Sequence, residues 1–199
     1  MIQHAFGLIF QPRKQWRAIA AQTDSQLARN LAYPLALAII PSIAWYYGTT
    51  QVGWSIGAGD VLKLTHESAL GIAVAMYFCV LAALGGIGYM VHWMSVTYGA
   101  QSSLIKGLAL SGFTATPFFL AGVVGFYPHF TLDFLISFVA IAHGVYLLYT
   151  GIPIMMKVPE DRGFLFASAV LGVAMVMLMV LMGATVVLWD MGLTPVFTD

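Results

Sequence analysis

Charge is what this sequence has least of. Eight basic and eight acidic side chains make up 8% of its 199 residues, against about 25% in a soluble domain. That scarcity excludes a protein bathed in water on all sides. The two signs balance, so no electrostatic surplus points to nucleic acid or to an acidic substrate. Cysteine is almost absent too. The single Cys79 cannot form an intrachain disulfide and supplies no metal cluster; it reads as filler in an apolar run. An early apolar segment is also missing. The first 30 residues are polar or mixed and the first apolar run opens at Leu31, too late for a cleaved signal peptide.

What the chain does have is long apolar runs. A helix needs about 20 mostly apolar residues to cross the hydrocarbon core. Five stretches qualify: residues 31–47 (interrupted by Pro34 and Pro41), 68–94, 104–127, 132–153 and 164–189. The fold class is therefore all-α integral membrane. A five-transmembrane-helix bundle over residues 31–189 is expected between a cytoplasmic segment, 1–30, and an exterior tail, 190–199. Short connections make neighbouring spans antiparallel. No internal repeat is visible, and an odd span count argues against an inverted-repeat transporter.

Basic residues set the orientation. Arg13, Lys14, Arg17 and Arg29 precede the first span, Lys106 lies between spans two and three, and Lys157 and Arg162 lie between four and five. Only Lys63 stands on the other side, and the tail carries Asp190 and Asp199. The expectation is a multi-pass membrane protein with its N-terminus cytoplasmic and its C-terminus on the far side.

The connections are read in the same way. In "HAFGLIFQPRKQWRAIAAQ", Pro12 suits the first turn of a helix. Trp16 and Ile19 then share one face, with Arg13, Lys14 and Arg17 on another. That is an interfacial helix anchoring the chain to the anionic leaflet, with docking of a partner as the second reading. In "GTTQVGWSIGAGDVLKLTHES", Val52, Trp54 and Ile56 alternate with small or polar residues, as do Leu62 and Leu64 beyond the glycines. The pattern gives a short β-hairpin-like loop on the exterior side, with its turn at the glycines of Gly57-Ala-Gly-Asp60. Asp60, His66 and Glu67 match no metal-ligand spacing, and no metal or cofactor is expected. "KVPEDRG" is a solvated reverse turn.

Inside the spans, ionisable residues would be functional candidates by default, but no acid, lysine or arginine falls near any span centre. His143 is the one titratable group at mid-depth, and without a carboxylate partner it reads as a neutral, hydrogen-bonded ring. His92 belongs to the aromatic belt beside Trp93. The run "ALSG" at residues 109–112, with His143 on the next span, invites an intramembrane serine-protease reading. It lacks that motif's first glycine, and Ser111 and His143 lie about 7 Å and about 15 Å from the cytoplasmic edge, so no enzyme is expected. Small residues four apart (Gly71 and Ala75, Ala82 and Gly86, Ser168 and Gly172) let helices approach closely. The span-five methionines are adaptable packing.

One stretch resists the pattern. "GFTATPFFLAG" at 112–122 places Pro117 in mid-span, where it removes a donor and crowds the carbonyl four residues back. Threonine hydroxyls and neighbouring helices can satisfy such freed groups. A kink results, and Thr114, Thr116 and Pro117, with His143, either serve packing alone or line an intramembrane pocket.

"SGFTATPFFLAG" resembles the small-aromatic-x-x-x-Pro signature of the Yip family, the Ypt-interacting five-span proteins. "GTTQVGW" with "GAGDVLKL" after span one, and "GVYLLYTGIP" at 144–153, are similar to its bacterial inner-membrane branch. The resemblance covers most of the chain and implies the same five-span layout in the bacterial inner (cytoplasmic) membrane, with the C-terminus periplasmic. Eukaryotic members are adaptors that meet small GTPases through an acidic-aromatic Gly-Pro motif in a longer cytoplasmic domain. That motif is absent from residues 1–30, so GTPase binding is not implied here. Two functions are carried forward. The first is a non-enzymatic scaffold that organises membrane or partner proteins, associates with lipids and forms a homo-oligomer. The second is a small-molecule or lipid transporter or channel with its site near the kinked third span.

Overall fold

A computed structural model describes residues 2–55 and 59–198. Two short helices, α1 (Ile2–Phe10) and α2 (Pro12–Ala20), precede the bundle. Span one comprises α3 (Asp24–Asn30), α4 (Ala32–Leu37), α5 (Ile39–Tyr47) and a wide turn, Gly48–Val52. Span two is α6 (His66–Ser95). Span three is α7 (Leu104–Thr114), α8 (Thr116–Ala121) and a 3₁₀ turn, Gly122–Phe126. Spans four and five are α9 (Phe130–Met156) and α10 (Glu160–Asp190). All five are long and apolar enough to cross a membrane. The expected helical bundle is what forms.

Prolines decide where the helices break. Span one is helical from Asp24, seven residues before its apolar run, because Thr23 and Gln26 close a capping box there. It is then interrupted at Leu31 and Ala38, near Pro34 and Pro41, whose rings cannot donate to the carbonyls four residues back. Span three breaks at Ala115, just before Thr116 and Pro117. These irregular spans lie side by side, and each proline of span one seats against a glycine of span three. A Cβ on Gly112 would come within 2.7 Å of Pro34 Cγ, and one on Gly122 within 2.8 Å of Pro41 Cα. The straighter α6 crosses α7 equally closely. A Cβ on Gly88 would meet the Leu108 backbone at 2.8 Å. The glycine-rich run of span two therefore closes on span three through Gly88, whereas Gly85 and Gly172 have open space beside them.

One end of the bundle carries Lys106 at the start of α7 and the α9–α10 turn. That turn is made as expected: Lys157 adopts the left-handed conformation (φ 53°) that ends α9. Glu160 and Asp161 then occupy the first turn of α10, where the helix dipole favours acids. At the opposite end Trp54 and Leu62 make one isolated antiparallel bridge, and no strand of the expected β-hairpin-like loop develops among the described residues; Gly57, in its expected turn, lies outside them. A lone hairpin is marginal, and here the second half of the loop pairs with the tail instead. Leu64 bridges Phe197, and the Thr65 N–H donates to the Val196 carbonyl at 2.8 Å.

The principal core is gathered toward the basic end. Trp16, Ile19 and Leu27 of the N-terminal helices meet Leu110 and Phe113 of α7, Ile152 and Met156 of α9, and Phe166 of α10. The opposite half of the bundle is packed less fully, and that difference creates the candidate site.

Candidate functional site, an intramembrane cavity

The kink explains itself at atomic level. Pro117 has no N–H for the Phe113 carbonyl, which is its partner by helical spacing. The Thr116 hydroxyl donates to that carbonyl at 2.7 Å. Its oxygen then accepts from Tyr33 Oη of span one at 3.0 Å. Thr116 is fully buried and Tyr33 nearly so, so the relay from Tyr33 through Thr116 to Phe113 satisfies polar groups that water cannot reach.

Leu8 lies in the last turn of α1, where carbonyls lack intrahelical donors, and His143 Nε2 donates to its carbonyl at 3.2 Å. His143 stands thirteen residues from each end of Phe130–Met156 (143 − 130 and 156 − 143). The N-terminal hairpin of α1 and α2 therefore reaches mid-depth in the bundle. Within it, the Gln15 amide donates to His4 Nδ1 at 2.6 Å, and His4 packs edge-on against Tyr33 and Phe113. Burial holds the His4 imidazole below its usual value of 6.5. In α2, Trp16 and Ile19 face inward and Arg13, Lys14 and Arg17 face out. The apolar face is spent on the protein itself: Trp16 is fully buried against Gly151 and Leu110.

Between α6 and α10 on one side and α5, α8 and α9 on the other lies a cavity of about 850 Å³, within the range of small-molecule sites. It runs lengthwise, from Val91 and Val170 in the basic half to Trp45, Trp54 and Asp133 at the loop end. Aliphatic, methionine and aromatic side chains dominate the wall, and Ile141, Met175 and Leu178 on it are half or more exposed. Two of its polar side chains are occupied by backbone carbonyls. The Ser111 hydroxyl donates to the Leu84 and Leu108 carbonyls, and the Thr49 hydroxyl to the Trp45 carbonyl at 2.8 Å. Thr114 Oγ1 and Asp133 Oδ1 are buried without a hydrogen-bond partner among the described residues.

The four residues expected at the pocket are thus divided. Thr114 lines the cavity, Thr116 and Pro117 are buried at the face shared with span one, and His143 turns to Leu8. Ser111 and His143 each bond elsewhere, so the geometry does not assemble a serine–histidine pair. No group of three metal-ligating side chains occurs among the described residues.

Residues 6–182 match the Yip1 domain. The chain belongs to the Yip1 domain family. It is 35% identical to the inner membrane protein YohC of Escherichia coli K12 over 191 residues, spanning 96% of this chain and 98% of that relative. The same figures hold for YohC of the Escherichia coli O6:H1 strain CFT073. No solved structure matches the chain. In this Yip1-domain protein the residue that sequence reasoning passed over is Asp133. It is an acid within the first turn of span four, and its position at a span edge concealed that its side chain turns into the cavity wall.

Proposed function

We propose that the protein is a non-catalytic, multi-pass membrane protein that binds the chain of a membrane amphiphile in this cavity. The observation that carries the proposal is an 850 Å³ space whose wall is overwhelmingly apolar and whose edge includes half-exposed lipid-facing side chains. In a bilayer such a space is open to hydrocarbon from the side. An acyl chain satisfies it at no desolvation cost, whereas a polar solute would have to leave water for a wall with little to bond to. The lysine and arginine distribution supports an N-terminus in the cytoplasm, with the loop and Asp133 at the outer leaflet. Holding lipid at a fixed position is also a means of organising the surrounding membrane, and so joins the two functions expected from the sequence.

Native mass spectrometry of protein released from lipid nanodiscs tests this. One lipid per chain should stay bound to the wild type. Ala83→Phe and Ala174→Phe, which fill the wall from α6 and α10, should lose it while keeping the helical circular-dichroism spectrum. Release of bare wild-type protein, or equal retention by both folded variants, would contradict the proposal.

A further inference from the structure

We infer that the occupant of the cavity is a phospholipid with a primary ammonium headgroup, bound through Asp133. The inference rests on the lipid-binding reading and adds to it the chemistry of the head. Asp133 lines the loop end of the cavity. Its two carboxylate oxygens are used unequally. Oδ2 accepts from the His129 N–H at 3.1 Å, at the helix N-terminus. Oδ1 is buried and accepts from nothing among the described residues. Helix capping accounts for the first oxygen and leaves the second unexplained. An acceptor-only group without a donor is costly in an apolar wall, so a ligand that completes it must bring a hydrogen-bond donor, and preferably a positive one.

No basic side chain among the described residues bonds to Oδ1; the Lys63 ammonium, at the same end of the bundle, donates to the Gln51 carbonyl at 2.6 Å. Depth then identifies the kind of ligand. The 27 residues of α9 span about 40 Å, some 10 Å more than the hydrocarbon core. With the excess shared between its ends, Asp133, three residues after Phe130, stands about 5 Å from the end of the helix, at the boundary between hydrocarbon and headgroups. A ligand whose chain lies along the cavity therefore presents its head at Asp133. Trp45 and Trp54 line the same end and offer aromatic faces that favour a cation. A primary ammonium has N–H groups for Oδ1. A quaternary ammonium has none, and a glycerol head has no positive charge. Among these heads, the ethanolamine type meets both requirements.

The test presents nanodiscs of equimolar phosphatidylethanolamine, phosphatidylcholine and phosphatidylglycerol with identical chains to the full-length protein, followed by native mass spectrometry of the retained lipid. The wild type should enrich phosphatidylethanolamine roughly tenfold over either competitor, as one charge-assisted hydrogen bond implies. Asp133→Asn, whose amide still accepts from the His129 N–H, should bring the three lipids to equal shares of whatever adduct remains, and Asp133→Glu should keep part of the preference. A wild type that retains the three lipids equally, or an Asp133→Asn variant with undiminished preference, would overturn the headgroup assignment alone. A wild type that retains no lipid at all would overturn the cavity reading beneath it.

Discussion

His143, midway along span four, donates a hydrogen bond to the carbonyl of Leu8 in the last turn of α1. It supplies the donor that a helix end lacks and fixes the N-terminal hairpin against the bundle. His143→Phe should lower stability by about 1–3 kcal/mol, the usual cost of a buried carbonyl left without a donor. His143→Gln, which keeps an amide donor, should lose less. Equilibrium unfolding of the three proteins in detergent measures the difference, and equal losses for the two variants would mean that the hydrogen bond contributes nothing.

The break at Pro117 gives a mutant cycle. Thr116→Val removes the hydroxyl that donates to the Phe113 carbonyl and accepts from Tyr33, and it should destabilise by about 1–3 kcal/mol. In a Pro117→Ala background the backbone N–H gained by that substitution can serve the carbonyl, and only the Tyr33 partner is lost. The penalty should shrink accordingly. Equilibrium unfolding of the four proteins of this cycle in detergent checks it.

Helix approach gives a steric prediction. A Cβ on Gly107 would stand against the Gly88 carbonyl of α6 and within 3.3 Å of the His92 N. These are backbone atoms and cannot turn aside as a flexible side chain would. Gly107→Ala should cost about 1–3 kcal/mol, while Gly172→Ala, with nothing within 4 Å, should change stability little. Comparing midpoints of thermal unfolding separates them.

His4 gives the N-terminal hairpin a pH dependence. Burial places its folded pKa below 6.5, so the unfolded ring binds a proton first as acid is added. The stabilisation is complete above about pH 6.5 and is lost as pH falls from there through the folded value. Protonation also sets a ring donor against the Gln15 amide. Amide exchange in Ile2–Phe10, corrected for intrinsic rate, should be faster at about pH 5.5 than at about pH 7.5. His4→Gln should flatten the difference.

Much of this fold was legible in the sequence because the bilayer demands it. Twenty apolar residues announce a span, and five such helices are present. The kink at Pro117 was legible too, along with its remedy, since only a nearby hydroxyl or helix could satisfy the freed carbonyl. What periodicity could not convey was which residues face one another. Pro34 and Pro41 read as breaks in span one, and only the three-dimensional packing shows them seated on Gly112 and Gly122. Trp16 has the spacing of an interfacial anchor, and the same spacing serves a helix docked on protein. His143 is legible as a hydrogen-bonded ring, but its partner, Leu8, lies 135 residues away and no local pattern names it. Asp133 was the hardest to see, because an acid at a span edge normally faces water and its local sequence is no different when it does not.

The measurement that tests lipid occupancy most directly is photocrosslinking in nanodiscs with a phospholipid carrying a diazirine in its acyl chain, followed by peptide mapping. Adducts on the cavity wall, at Thr114, Phe118 and Met177, well above those on the outward-facing Phe134, Phe138 and Val187, are the expected result. Labelling confined to the outward residues, with none on the wall, would mean that no lipid chain enters the cavity.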